Sequence, residues 1–256
     1  MKHLHHTIPA VLISTLVLLP LSASAEWGVG FNLETTQSMY KKEKGDRNTT
    51  TGTVHIEHQG ERFNIHKGIV SYALVNADKY AIDVLATSKH NGYEAKDKKV
   101  FKGMKNRKAS LDVGMRLRAN TTYLPISLSV TKDIHKNKGT EIGLSLGGIQ
   151  SGQNEWTGKR SVSVAPVFGA DWQSKKVVDY YYGVKNSEAT ANRKAYKGKS
   201  ALTPFVGLEA EARLSKNFSL IGSAKYKRLP SAITDSSITQ NNKSDYKLNL
   251  GVNYWF

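Results

Sequence analysis

The sequence predicts an all-β fold: a single antiparallel up-and-down transmembrane β-barrel of about ten strands, with twelve as the alternative. Three observations carry this. Apolar and polar residues alternate with a period of two in segments of 10 to 14 residues, longer than the 5–6 typical of soluble strands and long enough for a tilted span of about 9–11. Aromatic residues sit at the ends of these segments (Trp27, Tyr72, Tyr80, Tyr123, Tyr246, Tyr254), where an interfacial girdle belongs. The chain closes on Tyr254-Trp255-Phe256, an alternating strand with a terminal Phe, so Tyr254 and Phe256 are the expected assembly signal.

Composition narrows the function classes. The chain has 256 residues, a formal net charge of +16 and no cysteine, which excludes disulfides, thiolate metal sites and a cysteine nucleophile. A mean hydropathy of -0.44 argues against a bundle of transmembrane helices. The positive charge alone would admit nucleic acid, anionic lipid or acidic sugar as partners. The first 25 residues choose among them. Lys2 is followed by an apolar run from Ile8 to Leu21, and Ala23-Ser24-Ala25 has the small-x-small form of a cleavage site, so residues 1–25 read as a signal peptide cleaved after Ala25. Residues 26–256 then form the barrel in the outer membrane of a Gram-negative bacterium, and nucleic acid is not an expected partner.

The last segment has the clearest faces. Tyr246, Leu248, Leu250, Val252, Tyr254 and Phe256 share one side, and Lys247, Asn249, Gly251, Asn253 and Trp255 the other. The same alternation appears from Trp27 to Leu33, Leu111 to Leu117, Val206 to Leu214 and Phe218 to Tyr226. Tight connections at 76–79, 120–122 and 215–217 are expected on the periplasmic side, and the long polar segments 91–106, 169–201 and 230–245 outside. This parity gives strands near 27–39, 62–75, 80–90, 107–119, 123–133, 139–149, 158–168, 202–214, 217–229 and 246–256. Residues 50–60 also look like a strand. Counting them as a span would put segment 91–106 on the periplasmic side, so they read as a hairpin above the membrane. Val177 to Val184 reads as a further extracellular ribbon.

Sorting ionisable residues by face predicts a balanced lumen. Glu34, Asp83, Asp112, Glu141, Glu209 and Glu211 face inward, against Arg116, Arg118, Arg213, Lys225, Lys227 and Lys247. In a narrow barrel, unpaired ions away from water are costly, so these groups should pair into a salt-bridged plug. The basic surplus falls in the loops: segment 91–108 carries seven bases against two acids and segment 169–201 seven against three. Lipopolysaccharide phosphate is the expected counter-ion, with solvated loops as the plainer reading.

Arg228-Leu229-Pro230-Ser231-Ala232-Ile233-Thr234-Asp235-Ser236-Ser237-Ile238 resembles a segment of the MipA/OmpV family in which a strand ending in Arg-Leu is followed by an Ala-Asp-Ser-Pro-Ile-like loop and the final strand. Thr234 stands for the usual Ala and Ser237 for the Pro. Glu26 to Gly30, Gly60 to Phe63 and Asp179 to Val184 are similar to the family in the same order. The resemblance implies an outer-membrane protein without enzyme activity. Through the family's name, MltA-interacting protein, it implies a scaffold linking a lytic transglycosylase to a murein synthase. A narrow porin for small solutes or acidic saccharides is the alternative function.

Catalytic and metal chemistry have no clear carriers. His55 and His58 would point to opposite faces of a strand, poor geometry for a metal, and no spacing singles out a Ser/His set. No metal or cofactor is expected. Tyr180 to Tyr182 should pack the large loop onto the rim, with a sugar-stacking platform as the alternative.

Overall fold

The computed structural model describes residues 26–41, 48–89, 92–96, 98–149 and 157–256; the signal segment 1–25 lies outside them. Among the described residues, twelve antiparallel strands close into one barrel. In chain order they are β1 (Glu26–Gln37), β2 (Asn48–Gln59), β3 (Phe63–His66), β4 (Ile69–Asn76), β5 (Tyr80–Lys89), β6 (Ser110–Asn120), β7 (Pro125–Asp133), β8 (Thr140–Gly147), β9 (Ser161–Gln173), β10 (Ala201–Arg213), β11 (Phe218–Arg228) and β12 (Ser244–Trp255). Each pairs with its sequence neighbours, and β12 closes on β1 from Gly28↔Trp255 to Thr36↔Lys247.

The alternative count of twelve is the observed one, and both strands beyond ten come from residues 48–76. Residues 50–60 are not a hairpin above the membrane. They lie in β2, which pairs with β1 along its whole length, from Glu26↔Gln59 to Gln37↔Asn48. The single strand expected at 62–75 is folded in two. Lys67 (φ 49) and Gly68 (φ 78) both adopt the left-handed conformation of a two-residue type I′ turn, and reverse the chain between His66 and Ile69. This extra reversal cancels the extra span, so segment 91–106 stays at the end where parity placed it.

The pleat sorts the side chains. Val29, Phe31, Leu33, Leu111, Met115, Leu208, Leu220 and Leu250 are exposed outward, the apolar band a barrel presents to lipid. Trp27, Tyr80, Phe218, Tyr254 and Phe256 rim this band at the end bearing the tight turns, and Tyr226 and Tyr246 at the other. Inward polar residues are buried instead, among them Asn32, Asp83, Asp112, Arg213 and Asn253. Gly30 has no side chain where a Cβ would stand 2.1 Å from His55 Nε2 and 2.4 Å from Asn253 Oδ1, leaving space for those two groups inside.

One part of the wall is incomplete. β3 has four residues, and β2 meets it only at His58↔Ile65 and Gln59↔Asn64. From Thr50 to Glu57, β2 has no ladder partner on the side away from β1 among the described residues.

The long segments differ from expectation in detail. β9 extends to Gln173, five residues beyond its predicted end, shortening the large loop. Val177 to Val184 is not a ribbon: Lys175–Tyr182 form helix α1, which buries Val177, Val178, Tyr181 and Tyr182. That spacing places all four on one helical face. A single turn, α2, spans Ser231–Thr234.

Candidate functional site

The candidate site is the barrel lumen with the loops that cover it. Several side-chain bonds skip strands, which only the concave inner face permits. Arg116 on β6 reaches Ser71 on β4 (3.5 Å). Lys227 on β11 reaches Asp171 on β9 (2.8 Å). Lys89 on β5 reaches Glu141 on β8.

The groups predicted for the lumen lie in tiers. Nearest the turn end, Arg213 is 1% exposed. It donates to Glu26 (3.0 Å), to the Lys216 carbonyl (2.6 Å) and to the Ser215 carbonyl (3.3 Å), and its guanidinium lies 5.1 Å from the Trp255 ring. Asp83 accepts Arg116 Nε (2.9 Å) and both Nε and Nη2 of Arg118 (2.8 and 2.9 Å). Glu209 accepts the backbone N–H of Ile149 (3.0 Å) from the β8–β9 connection, and Glu211 shares its inward face. Lys225 stands over the Phe205 ring at 4.4 Å. Nearest the loops, Lys89 joins Asp112 (3.3 Å) to Glu141, and Lys247 meets Glu34 at 2.8 Å.

So Asp83 with Arg116 and Arg118, and Glu34 with Lys247, come together from within the predicted set. Four more pair with groups outside it: Arg213 with Glu26, Lys227 with Asp171, and Asp112 and Glu141 with Lys89, whereas Glu209 accepts a backbone N–H and Lys225 covers an aromatic ring. Glu57 falls outside the predicted set because residues 50–60 are expected above the membrane. It is 1% exposed and holds His55 Nε2 (2.9 Å), His66 Nδ1 (2.8 Å) and the backbone N–H of Lys67 (3.1 Å). The alternation Thr53-His55-Glu57 opposite Gly30 and Asn32 was the signal available for it.

Above the lumen, four loops form a lid. Tyr40 follows β1, Tyr93, Phe101 and Met104 lie between β5 and β6, α1 and Val184 between β9 and β10, and Ile233 and Ile238 between β11 and β12. They pack as two adjoining apolar clusters that share Tyr40. Phe101 is fully buried, stacks on Tyr93 at 3.9 Å and meets Tyr40 edge-on at 5.2 Å. Backbone bonds from Lys41 to Ile238 (2.9 Å) and from Gln240 to Met39 (2.8 Å) tie the first loop to the last. Burial pushes the Tyr93 and Tyr181 hydroxyls up to about 12, and raises those of Tyr40 and Tyr182 well above the ordinary tyrosine range.

A polar staple joins two of these loops. Glu188, 4% exposed, meets Arg107 at 3.1 Å and accepts the N–H groups of Lys105 (3.0 Å) and Lys185 (3.2 Å). Burial opposes its ionisation, but those hydrogen bonds and the Arg107 charge outweigh it, so its carboxyl stays below the usual range. Arg193 donates to the Glu188 carbonyl (2.6 Å), the Val100 carbonyl (2.5 Å) and the Lys102 carbonyl (3.2 Å). Arg107 and Arg193 belong to the basic surplus expected in the loops; in the structure they are buried and partnered, and hold the loops together. Of Tyr180 to Tyr182, the last two pack in the core of the lid as expected, while Tyr180 is half-buried against the same cluster and accepts the Lys108 N–H at 3.1 Å.

Fold and lumen together define a Gram-negative outer-membrane β-barrel. Within that class the family model described as "MltA-interacting protein MipA" matches residues 29–256, and the chain belongs to this family. It is 24% identical to the putative outer membrane protein YiaT of Escherichia coli K12, over 95% of this chain and 98% of that one. It is 26% identical to the outer membrane protein OmpV of Vibrio cholerae, over 73% of this chain and 72% of that one. A segment covering 37% of this chain and 38% of the other is 29% identical to the MltA-interacting protein of Escherichia coli K12.

Proposed function

We propose that this outer-membrane barrel is a closed scaffold, not an open pore or an enzyme, and that it holds a lytic transglycosylase and a murein synthase near the outer membrane. The observation that carries the closed state is the lid: four loops from around the rim share buried aromatic clusters over the mouth. The paired charges below it leave little one-sign surplus to attract an ion. The murein partners rest on the family description alone. Short turns face the periplasm in bacterial barrels, so partner contact belongs at the turn end, where Tyr123 projects 93% exposed from the β6–β7 turn. The surrounding lipid, including lipopolysaccharide at the loop end, completes the set of partners.

A narrow porin is the second reading. It is favoured by one feature: Thr51 and Thr53 are exposed on the inward face of β2, so the lumen is water-lined beside that strand. Planar-bilayer recording of the purified protein, with affinity capture of the two enzyme classes from envelope extracts, tests both. Absent or small conductance with capture of both enzymes supports the scaffold. Large conductance steps without capture overturn it.

A further inference from the structure

Outside the lumen, the loops build a second feature: a cleft of about 970 Å³, at the upper end of the roughly 300–1,000 Å³ range of ligand sites. The β5–β6, β7–β8 and β9–β10 loops supply its walls. Lys105, Lys136, Lys138, Lys176, Lys185 and Lys197 line it. Among the described residues none of these six ammonium groups meets a carboxylate. Among the described residues Asp179 is the one lining acid, and it already accepts the Gly198 N–H at 2.8 Å. Arg107, also in the wall, is neutralised by Glu188.

The walls are held by buried structure. The Arg107–Glu188 pair and the three carbonyls bound by Arg193 fix two loops to each other. Asp133 fixes the third: it accepts the backbone N–H groups of His135 (2.9 Å), Lys136 (2.7 Å) and Lys138 (3.1 Å). Six like charges around one concavity repel each other wherever no anion lies between them. Solvated lysines on independent loops could drift apart; these are carried on braced backbones.

We propose that this cleft binds a saccharide bearing several phosphate groups. Phosphate fits because lysine recognises it as a compact point charge, without the paired geometry that arginine uses. The same chemistry has two sources, the phosphorylated core of lipopolysaccharide in the surrounding leaflet and a soluble sugar polyphosphate. The site is independent of the scaffold reading, since it concerns the outer face of the loops and requires neither a closed lumen nor an enzyme partner.

The test uses the full folded protein in detergent and three probes: deep-rough lipopolysaccharide, inositol hexakisphosphate and phosphate-free oligogalacturonate. The cleft variant carries Lys105→Gln, Lys176→Gln and Lys185→Gln. A charge-matched control carries Lys159→Gln, Lys194→Gln and Lys199→Gln, all off the cleft. Heat-modifiable migration establishes that both fold. The proposal expects at least one phosphorylated probe to bind the wild type, and the cleft variant to bind it about tenfold more weakly, as three partly solvated ion pairs would give, with the control unchanged. Binding of lipopolysaccharide but not of the inositol phosphate assigns the membrane source, and the reverse assigns the soluble one. Equal losses in both variants, equally tight binding of oligogalacturonate, or no binding of either phosphorylated probe overturns it.

Discussion

The Glu57 carboxylate accepts the backbone N–H of Lys67 at 3.1 Å, tying β2 to the tip of the β3–β4 hairpin. The same carboxylate holds His66 at 2.8 Å and His55 at 2.9 Å. Two residue pairs are all the ladder that β2 and β3 share, and lipid offers no partner for an open strand edge. Glu57 therefore does by side chain what backbone bonds do elsewhere in the wall.

Glu57→Ala should lower stability by about 1–3 kcal/mol, the loss of the charge-assisted contacts that the buried carboxylate makes between two strands. Glu57→Gln should cost less, because its amide oxygen can still accept the Lys67 N–H. The temperature at which the folded form loses its fast gel migration measures both. Equal midpoints for wild type and Glu57→Ala would show that the hairpin holds without this contact.

The lid makes a prediction at high pH. A tyrosine whose folded pKa is raised favours the folded state fully below the unfolded value of about 10, and that contribution is lost as pH rises through the folded value. Tyr93 and Tyr181 stand at about 12 when folded. Lid stability should therefore fall between about pH 10 and 12. Ultraviolet titration of tyrosinate should show a late-titrating group of residues that joins the main population in urea. A single transition near pH 10 in the native protein would mean the lid is not packed as described.

The C-terminus gives a third. Phe256 donates its N–H to the Trp27 carbonyl (3.0 Å), Trp255 donates to the Asn217 carbonyl (2.7 Å), and Tyr254 meets Phe218 edge-on at 5.1 Å. The last residues thus join the first strand and the final turn, the contacts that close the barrel. Deleting Phe256 should reduce the heat-modifiable, outer-membrane-inserted fraction without blocking export. Unchanged folded yield on membrane fractionation would remove Phe256 from the assembly signal.

Much of this architecture was legible because the pleat makes a two-residue period visible in residue type. The outward row Tyr246-Leu248-Leu250-Val252-Tyr254 and the inward charges of β6 needed no structure. β2 was obscured by composition and by counting: Asn48 to Thr53 is polar and threonine-rich, and its span conflicts with parity unless Lys67-Gly68 is recognised as a reversal. The face of a charge could be read, but its partner could not. Arg213 meets Glu26 across 187 residues, a pairing set by barrel closure. Likewise Arg107 and Glu188 look like surface charges in sequence, because burial in the lid depends on four loops folding together.

Asp83 separates the lid from the lumen as the barrier to ions. It is 1% exposed and sits between two guanidinium groups, so Asp83→Asn leaves Arg116 and Arg118 facing a neutral amide. A stability loss of roughly 1–3 kcal/mol is expected from the two charge-assisted contacts, visible as a lower unfolding midpoint. If the lid is the barrier, conductance of Asp83→Asn in a planar bilayer should remain as small as in the wild type. Truncating the lid core with Tyr181→Ala and Tyr182→Ala removes two side chains that are 1% and 2% exposed. It should then create a leak, and adding Asp83→Asn to that variant should turn the leak toward anions, since two unpaired guanidinium groups would line the opened path. Current rising in Asp83→Asn alone would place the barrier in the lumen pairs. Large anion-selective steps in the wild type would exclude a closed barrel altogether.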